Sequence, residues 1–225
     1  MYGNICKQAF RIGGTLLEIT AAAQWINRYF ELFDQGVTRF VHNLHTVAGG
    51  FFPPFFELVS FFGKGGIFLI LLSLCLTLMK SKRHIGTAML LSVTIGAIVT
   101  NLFLKIVIAR PRPYADESSM YYELWKLVGQ NMESDKSFPS GHTTAAVACM
   151  VPVIIFSKPR LKLAALCFCI LMGIARIYLV VHFPSDVLAG VIVGIIAGCL
   201  GTLIAIKLPA RWYEWEAFPE GKHAK

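Results

Sequence analysis

The stretch Ile85–Ile108, IGTAMLLSVTIGAIVTNLFLKIVI, holds one formal charge, Lys105, in an otherwise uncharged run. A helix rises 1.5 Å per residue, so roughly 20 apolar residues cross the hydrocarbon of a bilayer. Ile85–Ile108 is long enough. Working outward, Pro54–Met79, Leu163–Val181 and Val187–Ile206 read the same way, and Gly141–Phe156 is a shorter run that extends from Phe138 to Ser157 without gaining a formal charge. The sequence therefore predicts an all-α fold, a polytopic membrane helical bundle with five or six transmembrane helices.

Composition agrees. Of 225 residues 56% are hydrophobic and 15% charged, against about 25% charged in soluble domains. The mean hydropathy is +0.61. The net charge of +8 comes from short clusters between apolar runs. A nucleic-acid interface calls for a continuous basic stripe, so no nucleic-acid partner is expected and anionic lipid head groups account for the clusters. Cys75, Cys149, Cys167, Cys169 and Cys199 lie inside apolar runs without a CxxC pair. They read as buried small hydrophobes.

The links set a topology. Lys80, Lys82 and Arg83 fill the first, Lys158, Arg160 and Lys162 the third, and Lys207 and Arg211 follow the last span. By the positive-inside rule these ends are cytoplasmic. The second link, Pro113 to Ser137, carries Asp116, Glu117, Glu123, Glu133 and Asp135, and the fourth is the short His182–Ser185 segment. Both belong to the opposite face. Trp212, Tyr213 and Trp215 suit an aromatic belt at the cytoplasmic surface.

In residues 1–45 the opening stretch has Lys7 and Arg11 but no clean apolar core, so no cleavable signal peptide is expected. From Thr15 to His45, Glu18, Arg28, Glu31, Asp34 and Arg39 interrupt the pattern. That suits an amphipathic interfacial helix, with a first membrane helix as the alternative. The expected division is 1–45 for this region, 46–208 for the transmembrane catalytic domain and 209–225 for a cytoplasmic tail. In the last span Gly190, Gly194 and Gly198 recur every four residues. Such a small-residue face favours close helix packing, within the chain or between two copies. The oligomeric state is left open.

Three polar clusters border the apolar runs, all at ends assigned to the non-cytoplasmic side. In Lys105-Ile-Val-Ile-Ala-Arg-Pro-Arg-Pro113, Lys105 and Arg112 are seven residues apart, nearly on one helix face. In Phe138-Pro-Ser-Gly-His142, Ser140 is a natural N-cap, and Gly141 lets an anion approach the free N–H groups of a helix start. In Arg176-Ile-Tyr-Leu-Val-Val-His-Phe-Pro-Ser-Asp186, Arg176 sits in an apolar helix, where an unpaired charge costs at least about 2.5 kcal/mol. Asp186 is placed to orient His182 across Pro184. Each cluster also has a structural reading: snorkelling Lys and Arg, an ordinary helix start, and an Arg176–Asp186 ion pair. His42 and His45 read as surface residues. Tyr121, Tyr122 and Trp125 read as an interfacial lid or a loop anchor.

Lys105-x6-Arg112-Pro113, Pro139-Ser140-Gly141-His142 and Arg176-x5-His182-x3-Asp186 together resemble the three-part signature of the type 2 phosphatidic acid phosphatase (PAP2) superfamily. Ala175 departs from it, standing where the family usually has Ser. The resemblance implies that His182 attacks phosphorus, Asp186 orients it and His142 protonates the leaving oxygen. Lys105, Arg112, Arg176, Ser140 and the Gly141 backbone would hold the phosphoryl oxygens. Two histidines and one aspartate beside three cations do not suit a divalent ion, so no metal and no cofactor is expected. The implied partner is a membrane lipid phosphate, and the implied place a bacterial plasma membrane with the site on its extracytoplasmic face. Undecaprenyl diphosphate is the first substrate expected. Phosphatidic acid, phosphatidylglycerol phosphate and phosphoryl transfer to another lipid are alternatives, and a non-enzymatic transporter or structural protein is the alternative of another class.

Overall fold

The structure is a computed structural model that describes residues 9–12, 15–209 and 212–213. Residues 1–8, Arg211 and Trp215 lie outside the described residues, and with them part of what was expected of the N-terminus, the last basic cluster and the aromatic belt.

The fold is the expected helical bundle. Phe52–Leu78, Lys80–Ala115, Pro159–Tyr178 and Pro184–Ile206 are long and apolar enough to cross a membrane, and Gly141–Phe156 adds a shorter apolar helix. The first stretch is two helices, α2 (Phe52–Phe61) and α3 (Ile67–Leu78). Gly65 and Gly66 between them have φ of 59° and 68°, a conformation glycine adopts without steric cost. The second begins as α4 (Arg83–Ala97), widens into π turns over Ile98–Leu104, and closes as α5 (Lys105–Ile108). Then come α6 (Met120–Leu127), α7 (Gly141–Phe156), α8 (Pro159–Tyr178) and α9 (Pro184–Ile206). Helices α8 and α9 start a few residues earlier than the apolar runs suggest. Pro159 and Pro184 open them, because proline's fixed φ suits a first turn whose N–H needs no partner.

Before the bundle, β1 (Ala9–Ile12) and β2 (Thr15–Glu18) form an antiparallel pair that the sequence does not announce. Helix α1 (Ala21–Ala48) follows. It is two-faced, as expected, with Ala23, Ile26 and Val41 buried and Arg28, Glu31 and Arg39 exposed, but its buried face also carries polar side chains. Asp34, Thr38 and His42 point inward and are buried, while Trp25, Tyr29, Leu32 and Phe40 are exposed. Helix α1 packs against α8 and α9. His42 is therefore not a surface residue: its ring stacks on Tyr178 with centroids 5.3 Å apart, and His45 Nδ1 lies 3.0 Å from the Tyr178 hydroxyl.

Helix α9 is central, packed against both α4 and α7. Its glycine face makes this possible within one chain. A Cβ added at Gly190 would lie 2.8 Å from the Ser140 carbonyl oxygen, at Gly194 2.7 Å from Val147 Cβ, and at Gly198 2.5 Å from Val151 Cβ. Apolar packing then divides into two clusters. Leu69, Met89, Val93, Ala146 and Met172 fill the space among α3, α4, α7 and α8. Phe56, Trp125, Tyr178 and Val181 gather near the other end. Leu161, Leu188, Ile192, Leu200 and Leu203 face outward, as suits a hydrocarbon solvent. Cys149 is buried, but Cys75, Cys167 and Cys199 are exposed on this outer surface. They are small apolar residues facing outward rather than into the core.

The two ends of the bundle differ in character. At one, Arg83 Nε donates to the Thr77 carbonyl (2.9 Å), Arg83 Nη1 donates to the Trp212 carbonyl (3.3 Å), and Trp212 Nε1 donates to Thr87 Oγ1 (3.1 Å). The His84 and Phe156 rings meet there as well, with centroids 5.4 Å apart. The first and third basic links and the end of α9 thus gather at one end. Arg83 is itself folded in and buried. The three polar clusters occupy the other end.

Replacing Gly194 with Leu is expected to force α7 and α9 apart and to destabilise the bundle by at least about 1–3 kcal/mol, the usual cost of overpacking. Thermal melting of the detergent-solubilised protein checks this, with outward-facing Ile196→Ala expected to melt close to wild type.

Candidate active site

At the polar end, α7 and α9 begin side by side. The Ser140 N–H donates to the Asp186 carbonyl at 3.1 Å, tying the two helix starts together. Ser140 caps α7, its Oγ accepting from the Thr143 N–H at 3.4 Å. Asp186 does the same for α9, one oxygen accepting from the Phe183 N–H at 3.0 Å. Both helix starts, with their partial positive charge, therefore converge where His142 and His182 stand.

His182 lies in the turn between α8 and α9. Val180 has φ of 53° there, a costly conformation for a β-branched residue, and the buried neighbours Leu179 and Val181 hold it. The ring is buried. Arg112 Nη1 lies 3.0 Å from Nε2 and also donates to the Val181 carbonyl at 2.6 Å. Since a guanidinium only donates, Nε2 accepts and the ring proton belongs on Nδ1. Nδ1 is 3.7 Å from Asp186 Oδ2, close enough for charge to act but longer than a hydrogen bond. Burial and, second, the Arg112 charge push the His182 pKa down to about 3 against the opposing pull of Asp186. The ring is neutral at physiological pH, with a lone pair on Nε2.

Of the three expected cations, Arg112 reaches this nitrogen, Lys105 stands over the start of α7, and Arg176 is near enough for its charge to act on the ring; each meets a carboxylate or hydroxyl. Lys105 Nζ and Arg112 Nη2 both pair with Asp135, one with each carboxylate oxygen. Arg112 Nε also donates to the Asp135 carbonyl at 3.0 Å. Arg176 pairs with Glu133 through Nη2 and donates to Ser60 Oγ through Nη1. Half-burial would raise the Asp135 pKa, but the hydrogen bonds and charges of Lys105 and Arg112 outweigh it and hold the carboxyl below its ordinary value. Arg176 is thus not paired with Asp186. Asp186 pairs instead with Arg110, Nη1 to Oδ1 at 2.6 Å, while its Oδ2 accepts from Ser137 Oγ at 2.5 Å.

A cavity of about 270 Å³ opens beside these groups, lined by Lys105, Arg112, Gly141, His142 and His182, with Glu133 and Asp135 on its rim. It extends along Gly63, Gly66 and Gly96. Gly63 lets His142 pack closely: a Cβ there would lie 2.8 Å from His142 Cδ2. At Gly141 an added Cβ would meet Lys105 Nζ at 3.5 Å, so that cation stands over the start of α7.

All eight expected site residues are brought to one end of the bundle. Lys105, Arg112, Gly141, His142 and His182 line the cavity, and Ser140, Arg176 and Asp186 back it. Sequence reasoning missed the roles of Arg110, Asp34, Glu133, Asp135 and Ser137. It read Asp34 as an interruption of α1 and the two loop acids only as topology markers. Tyr121, Tyr122 and Trp125 form α6, capped by Ser119, whose Oγ accepts from the Tyr122 N–H at 3.3 Å. Trp125 is buried, stacks on Tyr114 and donates from Nε1 to the Asn131 carbonyl at 2.9 Å. It anchors the loop that carries Glu133 and Asp135.

Comparison with known proteins agrees with this architecture. The undecaprenyl-diphosphatase BcrC of Bacillus subtilis (strain 168) is 32% identical over 121 residues, which are 54% of this chain and 58% of that relative. The lipid A 4'-phosphatase of Bacteroides thetaiotaomicron is 30% identical over 125 residues, 55% of each chain. The chain thus spans a little over half the length of these curated relatives. The crystal structure of a transmembrane PAP2 type phosphatidylglycerolphosphate phosphatase from Bacillus subtilis shares the fold, with a TM-score of 0.63 at 22% identity, covering 84% of this chain and 92% of that one. The model of the PAP2 superfamily matches residues 85–209, from the start of α4 to just past the end of α9 and more than half of the sequence. This chain belongs to the PAP2 superfamily.

Proposed function

We propose that this protein is a membrane lipid phosphatase that hydrolyses a lipid phosphate or diphosphate through a phosphohistidine on His182. One observation carries the reading. Arg112 reaches Nε2 of a neutral His182, Lys105 lines the same cavity and Arg176 lies near enough for its charge to act on the ring, and all three cations already hold carboxylate oxygens. A phosphoryl group offers such oxygens in one compact unit, in reach of the nucleophile.

Each residue has work in the reaction. With the lipid phosphate's oxygens on the three cations, His182 Nε2 attacks phosphorus as the bond to the leaving oxygen breaks. His142 gives that oxygen a proton, and Asp186 faces the positive charge that develops on the His182 ring. A water then attacks phosphorus, the P–N bond breaks, and His142 takes the water's proton. In-line transfer needs little covalent help beyond this, so catalysis rests on positioning and charge. The cations repel a divalent ion, and the proposed reaction uses none.

The substrate follows from place. A site at the end of an apolar bundle meets a phosphate at the membrane surface with its tail in lipid. Undecaprenyl diphosphate is our first substrate, in keeping with the name of the BcrC relative. A lipid A phosphate and phosphatidylglycerol phosphate, after the other relatives' names, complete the panel. The basic links at the opposite end support a cytoplasmic location there and so favour our reading of a site on the extracytoplasmic face of a bacterial plasma membrane.

Purified protein is expected to release phosphate from a lipid diphosphate in EDTA. Inactivity across the whole panel would overturn the proposal. His182→Ala is expected to abolish turnover, whereas His142→Ala should spare slow attack on substrates with a good leaving group; wild-type rates in His182→Ala would remove the nucleophile. Because Asp135 competes for Lys105 and Arg112, Asp135→Asn is expected to lower KM for the lipid phosphate, as steady-state kinetics would show. A cysteine at exposed Glu117 should label with an impermeant reagent on intact cells, and labelling only after lysis would reverse the sidedness.

A further inference from the structure

Behind His182 lies a second charged assembly to which the three-part motif assigns no role. Helix α5 ends at Ala109, whose φ of 49° turns the chain and sends Arg110 into the bundle, 1% exposed. Its guanidinium is held on all sides. Nε donates to Asn27 Oδ1 at 2.7 Å, Nη1 to Asp186 Oδ1 at 2.6 Å and to Ser185 Oγ at 2.8 Å, and Nη2 to Asp34 Oδ2 at 2.9 Å. The Phe183 ring lies 3.8 Å from its central carbon. Asp34, also 1% exposed, accepts from the Ser185 N–H at 2.7 Å and from Ser185 Oγ at 2.8 Å. Asp34 and Asn27 come from α1, outside the region matched to the family.

We propose that Arg110 and Asp34 are positioning residues for the reaction at His182: Arg110 fixes one oxygen of Asp186 so that the other faces the ring, and Asp34 restores the negative charge that Arg110 cancels. The inference rests on the proposed nucleophilic role of His182.

Charge counting carries it. Asp186 alone would place one negative charge behind His182. Arg110, bound to Asp186 in a buried setting, cancels it, and the imidazole would then have the Arg112 guanidinium in front and no net negative charge behind. Asp34, on the far side of the same guanidinium, returns the net charge of the assembly to minus one. When Nε2 bonds to phosphorus the ring becomes cationic, and an ionised Asp34 keeps a net negative charge behind it. The second effect is geometric. A carboxylate with one free oxygen rotates; with Oδ1 on Arg110 and Oδ2 held by Ser137 and the Phe183 N–H, Asp186 keeps a single orientation toward Nδ1.

The test compares Asp34→Asn, Arg110→Gln and the double variant with wild type, each purified as the full chain in detergent and checked by thermal melting. The readouts are kcat and KM for release of phosphate from a short-chain polyprenyl diphosphate. Losing one buried charge interaction is expected to lower kcat roughly 10- to 100-fold in Asp34→Asn, with KM within about twofold. The double variant leaves Asp186 as the single carboxylate, again a net charge of minus one, and is expected to turn over faster than Asp34→Asn, whose net charge behind the ring is zero. A purely structural role predicts the reverse, because the double variant loses more contacts. Single variants at wild-type kcat, or a double variant no faster than Asp34→Asn, overturn the proposal. If Asp34→Asn does not fold, Arg110→Gln decides alone: it frees Asp186 Oδ1, and a kcat at the wild-type value overturns the proposal. A wild type inactive on every lipid phosphate overturns the nucleophile reading and this inference with it, whereas an active wild type with unaffected variants removes only the roles of Arg110 and Asp34.

Discussion

A cation inside an apolar bundle must have hydrogen-bond acceptors against it, and at the polar end of this protein those acceptors include carboxylates for every buried cation. Desolvating a guanidinium or ammonium is too costly to leave unmatched, and removing one partner of a buried pair costs about 3–5 kcal/mol. Four cations, Lys105, Arg110, Arg112 and Arg176, are buried at one end. Asp135 answers two of them, Glu133 one, and Asp34 with Asp186 the fourth. The irregular parts of the chain follow from these pairings. The loop after α6 folds back over the bundle because its acids have cations to meet, and α1 turns Asp34 inward because Arg110 meets it there.

This explains which features the sequence disclosed. Helices and their order are legible because hydrocarbon demands long uncharged runs, and that demand acts on every residue of Ile85–Ile108. The core site was legible because Lys105, Arg112, His142, Arg176, His182 and Asp186 sit at fixed separations on helix ends. The partners were not. Asp135 reaches Arg112 across a loop, and Asp34 reaches Arg110 across 76 residues; no period or spacing encodes such a contact. Asp34 also misled for a physical reason. On α1 the buried stripe carries polar side chains among apolar ones, so an acidic residue that looks like surface lies in the interior.

The helix starts show the same economy. Ser140 and Asp186 each satisfy a first turn, and a backbone hydrogen bond between them fixes the two starts together. His142, one residue inside α7, and His182, two residues before α9, therefore inherit their separation from helix packing instead of from a flexible loop. The glycines of α9 set how closely those helices approach. Site geometry and bundle stability thus depend on the same contacts.

The carboxylates on Lys105, Arg112 and Arg176 make binding an exchange of anions. In the proposed reaction, a phosphate that enters displaces Asp135 and Glu133 from the cations and releases them toward water, so the pocket's net charge changes little when it is filled. Added salt screens the incoming and outgoing anions alike, which makes affinity only weakly dependent on ionic strength. Small ions such as chloride gain little there, since each must compete with two tethered carboxylates whose effective concentration is set by the loop that carries them.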